Sequence, residues 1–218
     1  DVWQRGTSFV AIANNTYSAD RWLQYHHTDV VGTVTTDTSH PSGFSTSYKY
    51  TVTTADTSLD AVHETSVLQM LEGLNLKSLA KGTSEAKSVT LSFWVKSNVT
   101  GIYATELMDQ DNSNRHINKT YTIDASGTWE YKTITFAGDT TGEFANDAGA
   151  SLAVQWWLAA GSARSGGTLQ TAWGGLVQNN RAVGQVNLNA NTGNYWQITG
   201  VQLELGSVAT DFEHRSYG

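Results

Sequence analysis

The chain of 218 residues has no cysteine. No disulfide can staple its fold, thiolate chemistry is closed to it, and a Cys-based zinc site is excluded. Proline is nearly absent, with Pro41 alone. Charge is scarce too, since Asp, Glu, Lys and Arg make up 15% of residues. The 13 Lys and Arg face 20 acidic residues, which leaves a net charge of −7, and no run gathers the cations. A nucleic-acid backbone therefore finds no electrostatic footprint here. No apolar run approaches the roughly 18 residues that a membrane-spanning helix needs. No signal peptide is visible and the chain begins at Asp1, as expected of an excised domain or a processed product.

What is present points to β structure. Eight tryptophans, nine tyrosines and many threonines favour twisted strands with polar faces. The apolar period is mostly two. "SVTLSFWVKS" (88–97) sets Val89, Leu91, Phe93 and Val95 against Thr90, Ser92, Trp94 and Lys96. "SYKYTVTTAD" (47–56), "TWEYKTITFAGD" (128–139), "SLAVQWWLAAG" (151–161) and "ITGVQLELG" (198–206) alternate in the same way. "GIYATELMDQ" and "HINKTYTI", joined by "DNSNR", read as a hairpin. Stretch 58–81 is ambiguous by period, and is read as a strand near 66–72 followed by a short helical turn at "LNLKSL". Residues 159–175 are Gly/Ser/Thr-rich and aperiodic, which predicts a long loop of functional or mobile character. Short strands from end to end predict one antiparallel β-sandwich spanning 1–218, with both termini on one sheet.

Three stretches carry a resemblance. "DVWQRGTSF" with "YSADRW", then "VTLSFWVKS" with "TWEYKTITFAGDTTG", and finally "ITGVQLELGSVATDFEHRSYG" are similar to a C-terminal domain of bacteriophage tail-fibre and other virion structural proteins. The likeness runs over essentially the whole chain, and the closing stretch is its most specific part. Asp211 stands where that family often has proline, and "HPSGF" and "DAVHETSVLQM" are individual to this chain. The resemblance implies a jelly-roll sandwich related to carbohydrate-binding modules, displayed on a virion and attached to host-surface glycans. It also implies a structural calcium ion near the chain ends. Asp20, Glu204 and Asp211 are conceivable ligands, but no spacing picks them out and no metal site is assigned.

Sugar recognition needs a flat aromatic platform beside planar hydrogen-bonding groups. Trp157 and Gln155 share the face opposite Leu152, Val154 and Leu158, either as a platform or, if that face is covered by another subunit, as interface. Trp94 has the same standing beside Lys96. Arg115 and His116 end the turn "DQDNSNRH" (109–116), either reading sugar hydroxyls or forming a polar hairpin tip. That turn lacks the glycine and the closing glutamate of an EF-hand. Trp173, flanked by Ala172 and Gly174, either contacts ligand or folds back onto the sandwich. Tyr195 and Trp196 follow the same loop.

Catalysis finds no anchor. No G-x-S-x-G or H-E-x-x-H occurs, the six histidines are scattered, and the carboxylates show no distinctive spacing. The N-x-[ST] sequences at Asn14, Asn98 and Asn118 read as chance. The leading expectation is a non-enzymatic glycan-binding domain, with host-surface or environmental polysaccharide, other virion subunits and further copies of the chain as partners. The rivals are a virion decoration or oligomerisation module that binds no sugar, and a polysaccharide depolymerase.

Overall fold

The computed structural model describes residues 3–214, and its regular structure is almost all strand. In chain order these are β1 (Ser8–Phe9), β2 (Thr16–Tyr17), β3 (Trp22–His27), β4 (Val31–Asp37), β5 (Ser47–Thr54) and β6 (Glu64–Glu72). Then come β7 (Val89–Ser97), β8 (Gly101–Asp109), β9 (Arg115–Ile123), β10 (Glu130–Phe136), β11 (Ala150–Ala160) and β12 (Tyr195–Leu205). The ambiguous stretch resolves as β6 followed by two short 3-10 turns, Gly73–Asn75 and Lys77–Leu79. No described helix is long and apolar enough to cross a membrane.

The strands form two six-stranded sheets, sheet A in the order β1-β4-β5-β12-β7-β10 and sheet B in the order β2-β3-β6-β11-β8-β9. Every pairing is antiparallel. β8 pairs β9, β7 pairs β10, β6 pairs β11 and β5 pairs β12. This is the pairing of one long hairpin, with its tip at β8–β9, rolled up into two layers. It defines a jelly roll. The four strands before β5 extend it, β4 and β1 on sheet A and β3 and β2 on sheet B. The first and last strands share sheet A without touching, since β4 and β5 lie between them.

The inward residues interlock as rings. Trp22 lies 5.2 Å from Tyr48 and 5.4 Å from Trp156, and Phe93 lies 5.2 Å from Tyr121. Leu91, Val95, Leu107, Ile117 and Ile198 fill the space between them. One buried polar tip finds a partner where the Trp196 indole N–H donates to the Tyr121 hydroxyl at 3.1 Å, whereas the Trp156 indole N–H and the Tyr50 hydroxyl find none.

The outer faces of the two sheets differ. Segment 161–194 is a long excursion that includes a single helical turn, Ser162–Ser165, and it lies across the outside of sheet B. It is sewn down rather than loose. Arg164 forks onto Glu64, Arg181 forks onto Glu106, and Ala104 N–H donates to Gln185 Oε1. His116 and Gly174 exchange backbone hydrogen bonds, which closes the free edge of β9.

Candidate functional site

The covered face holds three of the residues singled out by sequence. Trp157 is fully buried, packed with Ala104, Ala160 and Ala182, and the Arg181 guanidinium sits 4.8 Å above its ring. Gln155 donates to Ser66 Oγ at 2.9 Å and accepts from Arg181. His116 is fully buried, its Nδ1 2.9 Å from Glu106 Oε1, while its Nε2 accepts from Val177 N–H. Glu106 is buried, which alone would raise its carboxyl, but the Arg181 charge and the His116 hydrogen bond hold it below the usual range. These three belong to a buried network, so no sugar reaches them while 161–194 is in place. The cover comes from the chain's own excursion, not from another subunit.

Arg115 and Trp173 meet at one end of the sandwich in a clasp around Lys81. The Lys81 ammonium is ringed by four oxygens: Asp109 Oδ2 at 2.5 Å, Asp139 Oδ2 at 3.3 Å, and the carbonyls of Thr141 and Gly142 at 2.9 and 2.7 Å. Arg115 forks onto Asp139 at 2.9 and 3.0 Å. Burial would raise the Asp139 carboxyl, yet the Arg115 hydrogen bond, the Thr141 N–H and the two cations hold it low. Trp173 lies 5.7 Å from the ammonium and donates its indole N–H to Ala137 O at 2.7 Å.

Trp94 lies elsewhere, on the outer face of sheet A, where residues 38–46 lie over Gln197 and Thr199 but leave Trp94 partly exposed. Its neighbours follow from register. Tyr131 of β10 stands opposite it with ring centroids 5.3 Å apart, and Thr199 of β12 flanks it on the other side. One pair further along, Lys96 faces Gln197, which faces Lys49 of β5. Tyr195 opens β12, and its ring lies 5.1 Å from Lys49 Nζ and 5.9 Å from Lys96 Nζ. Trp129, just before β10, lies 5.6 Å from Lys96 Nζ and donates its indole N–H to Ser39 Oγ at 3.3 Å. Four rings thus share this face at least partly exposed, with Lys49 and Lys96 beside them, while Gln197 and Thr199 lie buried beneath. Trp129 and Tyr195 were not linked to Trp94 by sequence. The signal that links them is the β7–β10 and β7–β12 registers.

A cleft of about 1400 Å³ opens beside the second half of β12. β5 pairs only with Tyr195–Ile198, because a bulge at Gly200 (φ +61°) breaks the ladder. The gap is bordered by Phe44, Trp22, Trp156 and Leu79 and partly stoppered by Phe212 and His214. Here Gln202 and Glu204 gain a role. Gln202 Oε1 accepts from Glu213 N–H at 2.9 Å, and Glu204 accepts from Thr210 N–H at 3.1 Å and from its hydroxyl at 2.5 Å. Those hydrogen bonds hold the Glu204 carboxyl below its usual range. The tail therefore turns back along β12. Residues 215–218 lie outside the described part.

Asp20, Glu204 and Asp211 do not converge on a shared metal position, for no group of three or more His, Asp or Glu among the described residues does so.

No family model matches this chain, and no curated protein does. Solved structures do resemble it. A domain of tailspike protein 4 of bacteriophage CBA120, described as enzymatically active, aligns at 15% identity and a TM-score of 0.47, over 90% of this chain but 21% of that one. A family 11 carbohydrate-binding module of Clostridium thermocellum aligns at 10% identity and 0.46, covering 93% and 96% of the two chains. A C-terminal family 22 module of the same organism aligns at 11% and 0.45, covering 97% and 100%. Fold and open face together define an all-β jelly-roll sandwich with one covered and one accessible sheet. At such scores, what it binds has to be read from its own residues.

Proposed function

We propose that the domain is a non-catalytic glycan-binding module whose binding surface is the outer face of sheet A. The observation that carries this reading is the grouping of the at least partly exposed rings of Trp94, Tyr131, Trp129 and Tyr195 with Lys49, Lys96 and Ser39 on sheet A. Rings stack on the C–H faces of pyranoses, and amide, hydroxyl and ammonium groups beside them engage the hydroxyls. Asp37, Glu130 and Glu204, the carboxylates described in the strands of this sheet, are poor proton donors. Glu130 would be raised by burial, but Lys132 and the Ala125 and Asp124 N–H groups hold it low. Burial would raise Asp37, but Lys49 and the Ser39 N–H hold it below the usual range, and Glu204 is held low by Thr210. A general acid for glycoside cleavage needs the opposite shift.

The sequence resemblance supports a phage virion setting, with the domain on a tail fibre or related protein attaching the particle to host-surface polysaccharide. Weak single sites gain strength there from repeated copies. The test is a glycan array probed with the wild-type domain and with Trp94→Ala and Tyr131→Ala. Each variant is expected to lose about tenfold or more in affinity at unchanged Tm. Unchanged binding by both would overturn the assignment of this face.

A further inference from the structure

We infer that the ligand of this face carries a carboxylate, so that the sugar bound over Tyr195 and Trp129 is a uronic acid or a similarly acidic unit. This rests on the glycan-binding reading and sharpens it at Lys96. The chain is acidic overall at −7, yet it sets an ammonium between two rings, Trp129 and Tyr195. Among the described residues Lys49 on the same face has a carboxylate partner, Asp37 at 2.9 Å, whereas Lys96 has an ion-pair partner nowhere and meets only the neutral Ser39 Oγ at 2.7 Å. Its position is fixed by that bond and by the rings of Trp129 and Tyr195, so it is no freely waving surface lysine.

The hydrogen-bond inventory points the same way. An ammonium has three donors and no acceptor. Ser39 Oγ accepts from both Lys96 and the Trp129 indole, which fills its lone pairs and leaves its O–H to donate. The spot thus offers donors to a ligand, while the nearby Asp37 carboxylate is already taken up by Lys49 and the Ser39 N–H. A neutral hydroxyl would satisfy one of those donors. A carboxylate satisfies two at once, and its charge is attracted to an ammonium held in a partly desolvated ring setting.

The experiment is calorimetric titration of the intact domain with polygalacturonate, alginate and hyaluronan, each beside the same polymer after its carboxyl groups are reduced to primary alcohols. The acidic form of at least one polymer is expected to bind about tenfold more tightly than its reduced form. Added salt should weaken the acidic form more steeply. Lys96→Met keeps the aliphatic stem against the rings, and is expected to collapse the acidic-to-reduced ratio towards one, with Tm checked for folding. A ratio near one in wild type, or a ratio that survives Lys96→Met, overturns the inference. Equal binding of sulfated dextran also overturns it, because that outcome shows attraction of charge without recognition of a carboxylate. Binding of reduced polymers alone leaves the glycan-binding reading standing, whereas binding of no polymer in either form defeats that reading itself.

Discussion

Lys81→Met tests the clasp that joins the chain after the 3-10 turns to the hairpin and to the loop after β10. Lys81, Asp109 and Asp139 have side chains exposed by 4%, 0% and 3%. Removing the ammonium leaves two buried carboxylates short of a cation, a change that costs about 3–5 kcal/mol in general. Here the lower half of that range applies, because each carboxylate keeps other partners. Asp109 still accepts from the backbone N–H groups of Asp111 and Asn112 and from the Asn112 amide, and Asp139 keeps the Arg115 fork. Loss of the ammonium from the rings of Phe144 and Trp173 adds about 0.5–1 kcal/mol. The sum is about 3.5–5 kcal/mol. For a chain of this size that lowers Tm by roughly 7–20 °C. In urea the midpoint should fall by about 1–2.5 M with m unchanged. The double variant Lys81→Met/Asp109→Asn should be more stable than Lys81→Met, since the amide removes a stranded charge. A single variant within about 1 kcal/mol of wild type, or a double variant no better than the single, would refute the reasoning.

Trp157→Ala should cost about 3–5 kcal/mol in urea unfolding, as loss of a fully buried ring does, whereas Trp94→Ala on the open face should cost under about 1 kcal/mol. Acid unfolding follows from the lowered carboxyls of Glu106 and Asp139. Their folded values lie below the unfolded value of about 4, so their contribution is complete above that pH and fades as pH falls through the folded values. Arg115→Met removes the strongest influence lowering Asp139, and should move the acid midpoint upward while costing about 1–2 kcal/mol at pH 7. Gln202→Ala should speed amide hydrogen exchange across 210–213 and leave exchange in β6 and β11 unchanged.

The strands were legible where one face is apolar and the other polar. β7 and β12 read true because Phe93, Val95 and Ile198 alternate with polar neighbours into a single core, and the "DNSNR" hairpin because Ser113 and Asn114 take the left-handed backbone that a tight turn demands. β1 to β4 escaped notice because two of them are pairs of residues and β3 is buried on both faces at its start. Trp157 misled for a related reason. Alternation separates two faces but does not say whether the second meets water. That was decided by segment 161–194, whose Arg181 reaches Glu106 from 75 residues away and whose composition carries no period. Trp94 was legible as outward. The company it keeps was not, since Trp129 and Tyr195 join it only once β10 and β12 are in register.

The open face also bears on whether the domain is a receptor for sugar or a packing module of a larger particle. Permanent protein interfaces shed lysine from their centres and favour continuous apolar contact. The outer face of sheet A does the reverse. Lys96 stands between the rings of Tyr195 and Trp129 and Lys49 beside Tyr195, with Asp37, Ser39 and Gln197 woven among them. Burying that pattern against another subunit would strand an ammonium unless the partner supplied an anion at one position. A sugar polymer needs no such full burial. It can lie along the rings with one side in water, while its hydroxyls and carboxylates meet the polar groups between them. By contrast, the outer face of sheet B, with Glu64 and Glu106 at its centre, has been covered by the chain's own arginines. The same sandwich has therefore closed one face with its own chain, and has left accessible the face whose mixture of ring and charge suits a hydrated, extended ligand better than a dry protein contact.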